Sequence, residues 1–153
     1  MKKLYLSNRD IEKSVHDTVN SMYAANWRPD YIVGITRGGL IPAVMMSHLT
    51  GIKMHTLDVR LRDWEKQAGR KGKNILIVDD INDTGATFQW IKEDWPSGCL
   101  PDNARWEEVW GNNVRFATVV NNLSSEFDVQ YSSIEVNKAE EDTWVVFPYE
   151  EWW

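Results

Sequence analysis

Ile75-Leu76-Ile77-Val78-Asp79-Asp80-Ile81-Asn82-Asp83-Thr84-Gly85-Ala86-Thr87 is the stretch from which the rest of the chain is read. Its first four residues are aliphatic without a polar interruption, the pattern of a strand buried on both faces of a parallel sheet. Two carboxylates follow at once, then a third, and Thr-Gly-Ala-Thr opens a helix that runs to about Trp95. Asp79 and Asp80 at the strand tip can accept hydrogen bonds from vicinal sugar hydroxyls, directly or through Mg2+, which prefers a few carboxylates plus water and substrate oxygens. Thr84 to Thr87 offer backbone N–H groups and two hydroxyls at a helix N-terminus, a natural seat for phosphate, and Gly85 lets the backbone approach it closely. A strand tip with this chemistry binds a sugar phosphate. A helix cap alone needs one Asp, and here three stand beside a glycine.

Upstream, Ile11, Val15, Val19 and Met22 recur at helical spacing behind a Ser7/Asn8 cap, with Asp10 and Glu12 in the first turn, which predicts a helix over about 8–26. Tyr31 to Ile35 reads as a second buried strand. Thr36-Arg37-Gly38-Gly39 follows, then a helix from Leu40 to Thr50 that is apolar nearly all round and stopped by Gly51. A further strand is expected from Lys53 to Leu57. Residues 60–73 carry a local excess of positive charge (Arg60, Arg62, Lys66, Arg70, Lys71 and Lys73 against Asp63 and Glu65) and read as a mobile basic loop that closes over an anionic ligand. Downstream, Pro96, Gly98, Pro101, Gly111 and Asn112-Asn113 mark 96–113 as an irregular excursion. Val114 to Val120 is a strand, Tyr131 to Val136 and Trp144 to Phe147 add two short ones, and Asn137 to Asp142 is a charged surface link. Alternating strands and helices predict an α/β fold with a mostly parallel sheet flanked by helices, its ligands beyond the carboxyl ends of the strands.

A chain of 153 residues with 42% hydrophobic and 26% charged residues fits one folded domain over 1–153 and excludes disordered and fibrous classes. The net charge of −6 argues against a broad nucleic-acid grip, which needs a positive footprint over several phosphates. No run approaches the ~20 apolar residues of a membrane span, Met1 to Asn8 lacks the apolar core of a signal peptide, and Cys99 has no intrachain partner. The expectation is a cytoplasmic protein with no membrane partner. His16, His48 and His55 show no zinc-ligand spacing. The segment from Asp80 to Gly85 opens like a calcium loop, but its twelfth position is Ile91 instead of Glu. Gly69-Arg70-Lys71-Gly72-Lys73 lacks the spacing and the Ser/Thr of a P-loop.

The segment Val78 to Thr87 resembles the phosphoribosyl-pyrophosphate (PRPP) motif of type I phosphoribosyltransferases, with an Asp-Thr-Gly ending similar to the purine branch. Gly34-Ile35-Thr36-Arg37-Gly38-Gly39-Leu40-Ile41-Pro42-Ala43 resembles the pyrophosphate loop of the bacterial xanthine-guanine enzymes, and Glu141-Asp142-Thr143-Trp144-Val145 their purine-holding segment. The resemblance spans about 30–147, with 96–113 looking like an insertion. It implies a type I phosphoribosyltransferase fold with a small C-terminal hood over about 137–153.

By that resemblance the reaction is Mg2+-dependent transfer of 5-phosphoribose from PRPP to a nucleobase, most closely a 6-oxopurine, through an oxocarbenium-like transition state with release of pyrophosphate. Asp79, Asp80, Asp83, Thr84, Gly85, Ala86 and Thr87 would hold the ribose and 5′-phosphate, with Asp79 and Asp80 also on the metal. Thr36, Arg37, Gly38 and Gly39 would hold the pyrophosphate after a cis Thr36-Arg37 peptide, Arg37 acting on the leaving charge. Asp83 would exchange a proton with the purine, Trp144 would stack on the base, and the Val145 carbonyl would accept from its edge. Two departures bear on the base. Asn122 falls where the relatives carry a lysine for the 6-oxo group, and Val146 falls where a Glu holds the amine of guanine. A homodimer or homotetramer paired near the pyrophosphate loop is implied. The competing function is a non-catalytic regulator that binds PRPP or a nucleotide on the same fold.

Overall fold

The computed structural model describes residues 1–57, 74–94 and 112–150. The basic loop 60–73, all of the 96–113 excursion but its last two residues, and Trp152-Trp153 lie outside the described residues.

The first strand, β1 (Lys2–Tyr5), leads into α1 (Asn8–Ala24). A capping box starts this helix: the Asp10 N–H donates to the Ser7 hydroxyl at 3.1 Å and the Ser7 N–H donates to the Asp10 carboxylate at 2.8 Å, so two of the orphan donors at this end are satisfied. Next come β2 (Tyr31–Ile35), α2 (Leu40–Thr50) and β3 (Met54–Leu57). The chain continues with β4 (Ile75–Asn82), α3 (Ala86–Asp94), β5 (Val114–Asn122), β6 (Tyr131–Val136) and β7 (Thr143–Val146), and ends its described course in a single tight turn at Pro148–Glu150.

Five strands form one sheet in the order β3-β2-β4-β5-β6, every neighbouring pair parallel. Chain order runs outward from β2 to β3 on one side, and the next strand, β4, pairs on the other side of β2. That makes the gap between β2 and β4 the topological switch point, where loops leaving the carboxyl ends diverge and open a crevice. Both glycine- and carboxylate-bearing segments of the sequence leave the sheet there.

Along β4 the side chains alternate. Ile75 and Ile77 pack with Phe88, Ile91 and Phe116 under α3, while Leu76 and Val78 pack with Val15, Met22, Ala43 and Met46 under α1 and α2. Each such fully buried side chain contributes about 1.5–3 kcal/mol. This double burial is why β2 and β4 read as unbroken apolar runs.

Two features exceed the sequence expectation. The ladder of β4 does not stop at Val78: Asp79 stands opposite Thr118, Ile81 opposite Val120 and Asn82 opposite Asn121. Polar residues are tolerated at this end because side chains satisfy one another, the Asn82 amide donating to the Asn121 side-chain carbonyl at 2.9 Å. The second feature is β1, which pairs in parallel with β7 as a separate two-stranded ribbon. Val145 and Phe147 join Leu6, Ile11, Val119 and Val120 in a third apolar cluster that fixes this hood to the sheet.

Candidate active site

The turn after β2 is tight. Its Thr36-Arg37 peptide is cis, as expected, and the Gly39 N–H returns to the Ile35 carbonyl at 2.9 Å. Arg37 is exposed at the rim, and Gly38 lies so close to the Asp80 side chain that a Cβ there would collide with the carboxylate. The sequence therefore needs glycine at 38 to bring this loop against the tip of β4. Together they line a cavity of about 540 Å3 that includes Thr36, Arg37, Gly38, Asp79 and Asp80.

Asp79 is the more enclosed carboxyl. Burial and the neighbouring Asp80 carboxylate push it well above the usual carboxylate range, against the opposing effect of the Asp80 N–H that it accepts at 2.8 Å. Asp80 accepts the Ile81 N–H at 2.8 Å on Oδ1. Among the described residues no cationic side chain is ion-paired with either group.

A second cavity, of about 700 Å3, lies beyond the same loop and is lined by Asp83, Thr84, Ala86, Asn122, Ser124 and Lys138, among others. Gly85 has φ 89°, a left-handed conformation suited to glycine, and a Cβ there would also strike Phe127 and Ser125. This turn aims the first residues of α3 at the cavity. Lys138 places its Nζ 3.0 Å from Asp83 Oδ1 and 6.0 Å from the Trp144 ring centre. The Asp83 side chain is 48% exposed, so the pair stands open to a ligand.

The expected base residues are disposed differently from one another. Trp144 exposes 54% of its surface, leaving an aromatic face available, whereas Val145 is buried. Asn122 lines the cavity, but its side chain is already engaged: Nδ2 donates to the Asp83 carbonyl at 2.8 Å, and Oδ1 accepts from the Lys138 N–H at 3.0 Å and the Ser124 hydroxyl at 2.9 Å. It ties together the backbones of the two charged residues beside it. Thr84, Gly85 and Ala86 border this cavity, and Thr87 joins them along a smaller cleft that Asp79 and Asp83 share.

Two residues here escaped the sequence reading. Lys138 is the one cation in the stretch Asn137 to Asp142, where the local signal is only a charged surface. Tyr149 lies in the closing turn, and its hydroxyl reaches Asp80 Oδ2 at 3.2 Å. Burial and the Asp80 charge push that hydroxyl far above its ordinary pKa, so it remains a proton donor.

An open parallel sheet, with a glycine turn and paired carboxylates at its switch point and a helix N-terminus beside them, defines an α/β protein built to hold a phosphorylated sugar. The chain belongs to the phosphoribosyl transferase domain family, which matches residues 2–151. The xanthine-guanine phosphoribosyltransferase of Cereibacter sphaeroides is 31% identical over 137 residues, covering 81% of this chain and 70% of that one. Among solved structures, a purine phosphoribosyltransferase from Pyrococcus horikoshii superposes with a TM-score of 0.70 at 24% identity, over 99% of this chain and 96% of that one. A hypothetical protein from Neisseria gonorrhoeae with bound ppGpp gives 0.76 at 17% identity, over 99% and 90%. These two likenesses speak to the fold, which is that of the type I enzymes.

Proposed function

We propose that the protein transfers 5-phosphoribose from PRPP to a 6-oxopurine, with Mg2+, releasing pyrophosphate. The observation that carries this reading is that the tip of β4 and the turn after it, 79–85, border both cavities, with a smaller cleft between them that shares Asp79 with the first and Asp83 to Ala86 with the second. In the first, Asp79 and Asp80 accept the ribose hydroxyls, while Arg37 and the turn 36–39 receive the pyrophosphate. In the second, Thr84 to Ala86, with Thr87 along the smaller cleft, cradle the 5′-phosphate, while Asp83 and Lys138 meet the base and Trp144, beside Lys138, stacks on it.

Asp79 and Asp80 suit Mg2+, since adjacent oxygen donors that no cation among the described residues neutralises leave an ion to be completed by water and substrate oxygens. Among the described residues no cluster of three or more His, Cys, Asp or Glu forms a cage of its own. When bound, Mg2+ supplies positive charge to the departing pyrophosphate. Arg37 adds a cation at the rim of the same cavity, where it would offset the charge of the leaving group. At the base, Asp83 holds or takes the purine proton as the glycosidic nitrogen becomes substituted. An ammonium has hydrogens only to donate, so Lys138 favours an oxo group over an amine at the edge it meets.

The α2 helix begins next to the pyrophosphate turn and exposes Ile41, Val44 and Leu49, which fits a homodimer joined through this face. No helix among the described residues is long and apolar enough to cross a membrane, and a cytoplasmic enzyme acting on small molecules accords with the acidic surface.

The test is a panel of guanine, xanthine, hypoxanthine, adenine and uracil, each with PRPP and Mg2+, read as pyrophosphate release. Release is expected with one or more oxopurines and at background with adenine and uracil. Binding of PRPP with no release from any base would replace the enzyme by a non-catalytic binding protein.

A further inference from the structure

The C-terminal turn enters the first cavity from the hood. Among the described residues strand β7 pairs with β1 alone, away from the main sheet, and Phe147 after it is 2% exposed in the third apolar cluster. The Glu150 N–H closes the turn on the Phe147 carbonyl at 3.1 Å, and the Phe147 N–H donates to the Glu150 carboxylate at 3.2 Å. So anchored, the turn carries Tyr149 over the carboxyl ends of β2 and β4. Its ring lies nearly parallel to that of Phe147, with centres 5.4 Å apart and planes 13° apart. Its hydroxyl sits 3.2 Å from Asp80 Oδ2 and 3.4 Å from the Gly38 carbonyl oxygen, so its single hydrogen is within reach of both acceptors, the carboxylate the nearer.

We infer that Tyr149 is a positioning residue for PRPP, setting the plane of the Asp80 carboxylate before the substrate arrives. The inference rests on the reading of this cavity as the PRPP site. A carboxylate has about four lone-pair positions and turns easily about its last bond. The Ile81 N–H holds Oδ1 and the Tyr149 hydroxyl holds Oδ2, so both oxygens are fixed while each keeps a lone pair for a ribose hydroxyl. Without the phenol only one oxygen is held, and the group must be ordered at the cost of binding. The contact with Gly38 adds a second effect: one hydroxyl links the two segments that take opposite ends of the same substrate. The hood thus works on the sugar as well as on the base.

Tyr149→Phe removes the hydroxyl and keeps the ring on Phe147. Calorimetric titration of the full chain with PRPP and Mg2+ should show about 5–10-fold weaker binding than wild type, within the usual range for ordering one side chain on binding. The KM for PRPP should rise by the same factor, with kcat and the KM for the base unchanged. Unchanged PRPP affinity, or a rise in the KM of both substrates together, would overturn the assignment. Tighter PRPP binding would also overturn it, showing the hydroxyl to be an obstruction. If the wild-type chain itself fails to bind PRPP, the reading of the cavity falls, and the role of Tyr149 with it.

Discussion

Asp80 and Asp83 are three positions apart, yet they line different cavities. That separation sets different failures. Asp80→Asn is expected to raise the KM and Kd for PRPP, because the carboxylate works before chemistry begins. Asp83→Asn keeps the shape but removes the proton acceptor, so kcat should fall by about 10²- to 10⁴-fold while calorimetry still shows PRPP bound. Lys138→Met keeps the length of the side chain without its charge. It should raise the KM for an oxopurine by roughly tenfold or more, as for a lost hydrogen bond from a charged donor, and leave PRPP affinity as it was. The carboxylates were legible because residue type and spacing carry their chemistry locally. Lys138 and Tyr149 were not, because each meets its partner only through the fold; Tyr149 and Asp80 are 69 positions apart. Asn122 was legible as a candidate beside Asp83, and it lines the same cavity, but its part as the brace that joins the backbones of Asp83 and Lys138 was not.

At the scale of elements, the phosphate cradle depends on how α3 is held. Phe88, 1% exposed, meets the rings of Phe116 and Phe127 at 4.8 and 5.5 Å, two residues into the helix that follows Gly85. Phe88→Ala should cost about 3–5 kcal/mol of stability, visible as a lower midpoint in urea unfolding, and should weaken PRPP binding in the protein that remains folded. The buried strands and the helices could be read from the chain because each repeats a simple period: unbroken aliphatics in β2 and β4, and every third or fourth residue in α1. Even the cap of α1 was visible in Ser7. The ribbon of β1 and β7 was only half visible, since exposed Lys2, Lys3 and Tyr5 leave no apolar alternation, and pairing between the two ends of the chain has no local signature. The length of β4 was underestimated because carboxylates normally end a strand; here the facing β5 continues beside them.

For the whole molecule, the switch point explains why the candidate site gathers on one edge, and α2 begins beside that edge. A helix with Ile41, Val44 and Leu49 exposed at 39–45% is half core and half uncovered apolar surface, the face proposed above for pairing. Light scattering is expected to give a mass twice the 17.8 kDa of the chain or a multiple of that, and Leu49→Lys should shift it toward the monomer. The most direct test of the central claim follows the product. Incubated with PRPP, Mg2+ and the preferred oxopurine, the protein should yield a nucleoside 5′-monophosphate, resolved by chromatography, in equal amount to the pyrophosphate formed. PRPP bound or consumed with no nucleotide formed from any purine would contradict the account.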